Sequence, residues 1–440
     1  RWNHLINEKT FSNTSLIFSD YYYGLTLDFI GFDWDSGIKN LNVKYDLKNY
    51  YSNNIQFNYG LNSIYYEFNP GEIKPINESG INYKKLDRKF AMENAAYFDV
   101  IHKVSSNVSM RYGFRLNQFL RFKQNGLNRY LNDNPVVFDQ NLGIYRQGEI
   151  IGEYLNSDNS KTIKSFYNLE PRFNISYNFN NQSIKASYNR LNQYIHLISN
   201  TNAPAPLDVW APSGPYLKPQ KLDQIALGYH SKLKNDNKIE TEVFYKKIKN
   251  RLDYINGADL VANEAIERVL LNGEARAYGI EFLYKKNKGR HNFWIAYTFS
   301  KSEQKTIGRN SIETGINMGK WYNTPYDKTH DFSFVSNYKL NEKLTFNTNF
   351  IFQTGQPTTY PIGQYTYMNL NVPNYGARNS NRLPNYHRLD ISLTLIPNKN
   401  KKRDYKSEWV FGIYNIYNRD NANSITSVSY THLTLPTTDW

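Results

Sequence analysis

The 440-residue chain contains no cysteine, which excludes a disulfide framework, a thiolate metal site and a cysteine nucleophile. Its aromatic fraction is 16% although its mean hydropathy is −0.69, and no run approaches the roughly 18 apolar residues of a spanning helix, which excludes a helical membrane protein. The net charge of +14 could suit an anionic partner, but the lysines are scattered and form no basic patch, so we expect no nucleic-acid partner.

A strand with one apolar and one polar face is predicted over residues 108–117. Apolar residues recur there at every second position, as the side chains on one face of a β-strand do. They are Val108, Met110, Tyr112, Phe114 and Leu116. Arg111 and Arg115 lie between them and therefore share the polar face.

The same alternation predicts a hairpin over residues 172–190. Phe173, Ile175 and Tyr177 share a face in the first arm, and Ile184 and Ala186 continue it in the second. Asn180 and Asn181 form a two-residue connection that tolerates positive φ, as a tight hairpin requires. Proline lacks a donor for the ladder, so we expect Pro171 at the start of a strand or at a bulge.

Residues 293–301 repeat the two-faced pattern, and the whole chain reads as about sixteen strands of roughly 9 to 11 residues each. Short and long connections alternate between them. The short ones are Ser105-Ser106-Asn107, Asn180-Asn181, Lys234-Asn235-Asp236-Asn237, Asn287-Lys288-Gly289 and Asn341-Glu342. The long ones cover approximately residues 69–90, 123–163, 199–221, 250–274, 303–327 and 355–385. Tight turns on one rim and long loops on the other are typical of outer-membrane barrels.

The polar faces carry Arg, Asn, Ser and Thr, which cannot close a dry core at an acceptable desolvation cost. The apolar faces must therefore meet lipid, and a closed barrel is the only sheet that leaves no edge in hydrocarbon. The sequence predicts an all-β fold, a transmembrane antiparallel β-barrel with lipid outside and a wet or plugged interior.

Eight stretches, taken in their order along the chain, are similar to one receptor family. They are RWNHLINEKTFSNTSLIFSDY, SIKASYNRLNQYIHLI, DVWAPSGPYLKPQKLDQIALGYH, ARAYGIEFLYKK, YDKTHDFSF, FQTGQPTTYP, RNSNRLPNYHRLDIS and FGIYNIYNR. On these stretches the chain resembles the barrel portion of TonB-dependent outer-membrane receptors from Arg1 to about Ile425.

The resemblance implies a barrel of about 22 strands that holds an N-terminal plug domain. With about 16 strands present, we expect an incomplete barrel in residues 1–427, with the plug, the coupling box and the first strands upstream and a last strand downstream. The resemblance also implies the outer membrane of a Gram-negative bacterium. The implied partners are a TonB-type energy-coupling complex, the plug domain, and outer-membrane lipid and lipopolysaccharide.

The end of the chain departs from the family pattern. The stretch VSYTHLTLPT, residues 428–437, resembles the translation of an adapter used in sequencing-library preparation. We expect residues 428–440 to be a non-native tail. The alternative is a divergent final strand, which Pro436 disfavours because it interrupts the ladder.

Catalytic and metal-binding patterns are scarce. The sequence has no His-Glu-x-x-His pair, no Gly-x-Ser-x-Gly elbow and no phosphate-binding loop, so we expect no enzyme, no cofactor and no metal site. Residues 33–37, Asp-Trp-Asp-Ser-Gly, resemble the opening of a calcium loop but lack its distal glutamate, so a solvated turn is favoured.

Aromatic residues of the long loops are the candidate substrate contacts, because aromatic faces stack on sugars and flat chelates. They are Trp210, Tyr216, Trp321, Tyr322, Tyr326, Tyr360, Tyr365, Tyr367 and Tyr375. The alternative role for each is a girdle aromatic at the lipid interface. Four charged residues on inner faces are candidate contacts to the plug: Arg111, Arg115, Glu170 and Arg172.

The resemblance implies energy-coupled import of a scarce, large nutrient, such as an iron chelate, a cobalamin-like cofactor or an oligosaccharide. A passive porin is the alternative, and a barrel-borne hydrolase is a third hypothesis. The sequence does not specify the transported ligand, because loop shape and the plug surface determine it.

Overall fold

The computed structural model describes residues 1–28, 31–76, 80–124, 126–153, 162–199, 209–260, 262–368, 370–397 and 407–422. Within these residues the regular structure is β-strand, apart from short 3-10 turns at Leu131–Asp133, Lys234–Asp236, Ile266–Val269 and Ile316–Gly319. None of the helical turns in these ranges is long and apolar enough to cross a membrane. Residues 428–440, the proposed tail, lie outside the described residues.

The strands are numbered here in chain order. They are β1 (Trp2–Asn7), β2 (Thr10–Leu27), β3 (Phe32–Tyr50), β4 (Ile55–Pro75), β5 (Lys84–Lys85), β6 (Lys89–Lys103), β7 (Val108–Phe122), β8 (Asn128–Tyr130), β9 (Val136–Asp139), β10 (Ile144–Gln147), β11 (Ile150–Glu153), β12 (Thr162–Phe179), β13 (Gln182–Gln193), β14 (Ile195–Ile198), β15 (Val209–Pro212), β16 (Gln220–Lys232), β17 (Asn237–Tyr254), β18 (Leu270–Lys286), β19 (His291–Lys305), β20 (Tyr322–Asn323), β21 (His330–Lys339), β22 (Leu344–Gln353), β23 (Pro357–Thr358), β24 (Pro361–Tyr367), β25 (Leu370–Tyr375), β26 (Asn381–Arg382), β27 (Tyr386–Leu395) and β28 (Trp409–Ile413).

The chain divides into two compact units. The first comprises Arg1–Lys232, Thr241–Tyr278 and Gln304–Lys320, and the second comprises Leu233–Glu240, Gly279–Glu303 and the chain from Trp321 onward. Strands β17 and β18 each contribute residues to both units.

The first unit is an antiparallel meander. Its long strands pair in the order β1, β2, β3, β4, β6, β7, β12, β13 and β16, each with the next. Successive connections of a meander lie at opposite ends of the strands, so the short turns share one end and the long connections share the other. Two further hairpins, β9–β10 and β14–β15, lie within the long connections of this unit.

The second unit contains another antiparallel series, in which β19, β21, β22, β27 and β28 pair in turn. Together with β17 and β18, the two series make sixteen of the 28 described strands, and the other twelve are short strands of two to seven residues in the connections. The sixteen agree with the predicted number of about sixteen. The predicted length of 9 to 11 residues is wrong for several of them. Strand β3 has 19 residues and β4 has 21, because both continue into what the sequence suggested as loops.

The predicted hairpin over residues 172–190 is confirmed. Phe179 pairs with Gln182, Arg172 pairs with Asn189, and Asn180 has a φ of 51° in the turn between β12 and β13. Pro171 does not lie at the start of a strand, as one form of the prediction had it, because β12 begins at Thr162, well before the proline. The pairing of β12 with β13 begins only at Arg172, so Pro171 lies just outside the β12–β13 ladder.

The two-faced pattern is also confirmed. On β7 the apolar face is exposed, with Phe114 at 42% and Leu116 at 50% of their full accessibility, whereas Asn117 on the other face is buried. Residues 33–37, by contrast, form no solvated turn. They lie within β3, where Trp34 and Ser36 are fully buried.

Candidate functional site

The polar face of the first unit carries a group of paired charges. Arg111 donates through Nε to both carboxylate oxygens of Asp99, at 3.0 and 2.8 Å. Arg115 lies 3.6 Å from Glu93, and its Nε also donates to Asn117 Oδ1 at 2.7 Å. Arg111 and Arg115 are four residues apart on β7 and therefore share a face of the sheet. Their acidic partners lie on the neighbouring strand β6, which brings the charged side chains together.

A glycine lets an aromatic side chain cross this face. Gly60 lies between Asp46 and Tyr97 in the register of β3, β4 and β6. A Cβ at Gly60 would lie 2.7 Å from the Tyr97 hydroxyl oxygen, so only glycine leaves room for the ring. The Tyr97 hydroxyl then donates to Asp46 Oδ1 across the intervening strand.

Glu170 is bound within the wall of the sheet and is only 4% exposed. Its Oε1 accepts hydrogen bonds from the Asn192 backbone N–H at 2.8 Å and from Asn192 Nδ2 at 3.2 Å. It also lies 3.9 Å from Arg172. Because Pro171 has no N–H and the β12–β13 ladder stops there, the Glu170 side chain replaces main-chain pairing at this point.

An apolar cluster covers the same face closer to the long connections. Phe119 stacks on Tyr194 with ring centroids 4.8 Å apart and planes 3° from parallel. The buried members are Tyr66, Phe68, Ala91, Phe119 and Tyr194. Ile195 of β14 and Trp210 of β15 pack against them, so the β14–β15 hairpin is held against the inner side of the sheet.

His196 fixes the base of this hairpin and is 1% exposed. Its Nε2 lies 2.9 Å from Ser213 Oγ, and its Nδ1 lies 3.2 Å from Gln220 Nε2. An amide nitrogen can only donate, so Nδ1 is the acceptor and Nε2 carries the proton that is donated to Ser213. In this tautomer the imidazole cannot take a proton from Ser213. Burial, with a smaller effect of the nearby Arg251 charge, lowers the pKa of His196 to about 4.

Acid is expected to weaken the hairpin through His196. The folded-state pKa lies below the ordinary value of 6.5, so the unfolded state takes up a proton first as the pH falls. The contribution of His196 to stability is complete above pH 6.5 and declines until about pH 4, by about 3 kcal/mol in total. Proteolysis of the hairpin between pH 7 and 4 should therefore increase more in the wild type than in His196→Asn. Equal pH dependence in both proteins contradicts the assignment.

The loop aromatics predicted in the second unit fall into two groups. Tyr326 is 58% exposed, and Tyr365, Tyr367 and Tyr375 on the β24–β25 hairpin are 57, 60 and 56% exposed. Tyr322 is buried, Trp321 is half-buried, and the Tyr360 hydroxyl donates to the Arg382 carbonyl at 2.9 Å. The exposed group is available for a ligand, whereas Tyr322 and Tyr360 take part in the folding of the loops.

The two aromatic candidates of the first unit are also partly enclosed. Trp210 packs on the Phe119 cluster described above. Tyr216 packs edge-to-face on Tyr130, with ring centroids 5.1 Å apart. Trp210 and Tyr216 therefore do not lie at the solvent-exposed tip of a loop.

Sequence reasoning missed the residue pair that organises the loops of the second unit. Asp327, whose side chain is fully buried, is ion-paired with Arg382. Its Oδ1 also accepts the Ser302 backbone N–H at 2.6 Å. No local pattern links Asp327 to Arg382, which lie 55 residues apart. Within the described ranges, no group of three or more acidic, histidine or cysteine side chains could hold a metal ion.

A family model described as "TonB dependent receptor-like, beta-barrel" matches residues 2–416. The chain belongs to this family. Nearly the whole chain therefore forms part of a TonB-dependent receptor barrel, as the sequence predicted. The family consists of transport proteins rather than enzymes. A search of curated proteins found no match.

Solved structures show the same fold. The ferric-catecholate import receptor Fiu from Escherichia coli K12 is 13% identical, with a TM-score of 0.55, and the match covers 95% of this chain and 59% of Fiu. The copper transporter OprC is 9% identical, with a TM-score of 0.61 and coverage of 95 and 60%. The ferripyoverdine receptor of Pseudomonas aeruginosa is 11% identical, with a TM-score of 0.55 and coverage of 93 and 50%. The chain thus spans at most 60% of the length of these three receptors.

Proposed function

We propose that the chain is the barrel part of an active importer in the outer membrane of a Gram-negative bacterium. The importer takes up a scarce, large nutrient and draws its energy from a TonB-type complex. The observation that carries the proposal is the family match over residues 2–416. The two-faced strands support it, because they suit a sheet with lipid on one side and a polar interior on the other.

The paired charges of the polar face support contact with a plug domain. Arg111 keeps 54% of its side chain exposed while it binds Asp99, and Arg172 keeps 34% exposed beside Glu170. A guanidinium has five N–H donors, so each of these arginines can still donate to a second partner. We assign Arg111, Arg115 and Arg172 to the plug interface, with Glu170 holding the wall behind them.

An iron chelate is the nutrient class that we rank first, ahead of a cobalamin-like cofactor or an oligosaccharide. Two of the similar structures are named for ferric chelates and one for copper. These names guide the choice of the first probe. The exposed tyrosines of the β24–β25 hairpin offer flat, amphipathic faces that suit any of the three nutrient classes.

The proposal is tested with the full-length receptor in its outer membrane. Uptake of labelled ferric catecholate, cobalamin and an oligosaccharide is compared in cells with and without the gene, each before and after a protonophore. Import of one probe that depends on the gene and stops when the membrane is de-energised supports active import. Gene-dependent uptake that continues after de-energisation contradicts it and identifies a passive porin. Accumulation of hydrolysed probe outside the cells identifies a hydrolase.

The tyrosines of the β24–β25 hairpin are expected to contact the nutrient. Tyr365→Ala and Tyr367→Ala should each weaken binding of the imported probe by roughly tenfold, since each removes an aromatic stacking partner. Tyr229→Ala, which alters a 37% exposed tyrosine on β16, is the matched control and should bind as the wild type does. Equal affinity of all four proteins assigns the hairpin to another role.

A further inference from the structure

A row of polar side chains crosses the apolar face of the first unit. Ser63, Asn94, Gln118 and Tyr167 lie opposite one another on β4, β6, β7 and β12. We call these four residues the polar row. The adjacent positions, one step nearer the short turns, form an apolar row of Tyr45, Leu61, Ala96, Leu116 and Leu169.

The polar row is a chain of hydrogen bonds that runs in one direction. Ser63 Oγ donates to Asn94 Oδ1 at 2.7 Å, and Asn94 Nδ2 donates to Gln118 Oε1 at 3.1 Å. Gln118 Nε2 then donates to the Tyr167 hydroxyl at 3.1 Å. Each side-chain amide in the row both accepts and donates a hydrogen bond, and such pairing allows polar groups to lie where water is scarce.

The row of hydrogen bonds ends at the Tyr167 hydroxyl, a group that can donate as well as accept. The Tyr167 hydroxyl oxygen accepts from Gln118, and the residue is 71% exposed, so the hydroxyl can also donate to a molecule that covers it. No side chain in the described part of the protein accepts a hydrogen bond from it. In hydrocarbon an unmade bond of this kind is costly, so whatever covers Tyr167 should supply an acceptor oxygen.

The polar row lies near one edge of the apolar belt. Ser63 is nine residues from the turn at Asn54, about 30 Å along the strand, or about 21 Å across a belt some 25 Å tall after a 45° tilt. One step further, Tyr65 faces Phe90 and Phe122, with ring centroids 6.5 and 6.2 Å apart. Aromatic side chains gather at the membrane interface, so the polar row lies at the depth where acyl chains join their headgroups.

A groove beside the row can hold an acyl chain. Ala96 is flanked by Leu61 and Leu116 on the neighbouring strands, and its short side chain leaves a depression between them. The groove has a volume of about 650 Å³, and both Ala96 and Tyr167 line it. An apolar groove that leads to the Tyr167 hydroxyl matches a hydrocarbon chain that begins with a carbonyl.

We propose that the polar row and its groove bind one membrane lipid through an acyl-ester carbonyl. The Tyr167 hydroxyl donates to the carbonyl oxygen of the ester, and the acyl chain lies over Ala96 between Leu61 and Leu116. This inference rests on the proposed membrane location of the barrel. The site belongs to the lipid-facing side, so it differs from any site for the imported nutrient.

The test compares an ester lipid with its ether analogue, which lacks only the carbonyl. The full-length protein is extracted in mild detergent with equal amounts of diester and diether phosphatidylethanolamine of the same chain length. Native mass spectrometry then counts the lipids retained. The wild type should retain the diester lipid roughly fivefold more than the diether lipid, the effect of about one hydrogen bond.

Tyr167→Phe removes only the hydroxyl and should abolish the preference. Tyr177→Phe is the matched control, because Tyr177 is an exposed tyrosine on the same face of β12 outside the row, and it should keep the preference. Ala96→Leu fills the groove and should lower retention of both lipids alike. An equal retention of the two lipids by the wild type, or a preference that survives in Tyr167→Phe, overturns the proposal. A dimer that forms through this face and excludes lipid also overturns it. Failure of the protein to insert into membranes at all instead rejects the membrane location.

Discussion

Replacement of Arg382 by alanine is expected to destabilise the second unit by about 3–5 kcal/mol, because it leaves a buried carboxylate without its counter-charge. The Asp327 side chain is fully buried, and Arg382 is its ion-pair partner. Arg382 also donates to the Gly355 carbonyl at 2.9 Å and to Thr329 Oγ1 at 3.3 Å. The single side chain therefore joins the segment before β21 to the segments around β23 and β26.

The measurement is urea unfolding of the protein in lipid vesicles, followed by far-ultraviolet circular dichroism. Lys288→Ala is the matched control in the same unit. It breaks a 3.9 Å pair with Asp236 in which the lysine is 70% exposed, and exposed pairs contribute about 1 kcal/mol or less. Arg382→Lys keeps the charge but loses the forked donor geometry, so its midpoint should lie between wild type and Arg382→Ala. An Arg382→Ala midpoint equal to that of Lys288→Ala contradicts the role of the pair.

The periodic parts of the fold were predictable because strand geometry acts on neighbouring residues. The alternation of apolar and polar residues predicted both faces of β7 and the hairpin over residues 172–190, and the Asn180-Asn181 pair predicted the turn of that hairpin. These two predictions depend only on the pleat of the backbone and on which residues tolerate positive φ. Both properties follow from the identities of neighbouring residues. Strand ends were less predictable. Strands β3 and β4, with 19 and 21 residues, exceed the roughly 9 to 11 residues of a membrane-crossing strand, because their paired extension buries Trp34 rather than leaving a loop.

The side-chain contacts of the site were not predictable, because each joins stretches far apart in sequence. His196 lies in SIKASYNRLNQYIHLI, whereas its partners Ser213 and Gln220 lie in DVWAPSGPYLKPQKLDQIALGYH. Asp327 of YDKTHDFSF meets Arg382 of RNSNRLPNYHRLDIS in the same way. The stretches that carried the family resemblance thus contain the residues that tie the loops to the strands. The sequence also did not predict that Glu170 would accept a hydrogen bond from Asn192, a bond that compensates for the N–H that Pro171 lacks.

The β14–β15 hairpin depends on the Phe119 cluster, and Phe119→Ala should release it. Phe119 is completely buried and stacks on Tyr194, the residue immediately before β14. Removal of a buried phenylalanine leaves a cavity and destabilises its surroundings by about 3–5 kcal/mol. The loss falls mainly on the hairpin, because Ile195 and Trp210 pack on the same cluster.

Two readouts follow the hairpin in vesicle-folded protein. Limited proteolysis should cut the connection between β13 and β16 much faster in Phe119→Ala than in the wild type, and the emission of Trp210 should shift to the red as water reaches its ring. Phe114→Ala is the matched control, because Phe114 lies on the same strand but on the opposite, exposed face. It should leave cleavage and emission unchanged. If both variants expose the hairpin equally, the cluster does not hold it, and a general loosening of β7 accounts for the effect. If neither does, His196 with Ser213 and Gln220 is sufficient to fix the hairpin, and the aromatic stack only fills space beneath it.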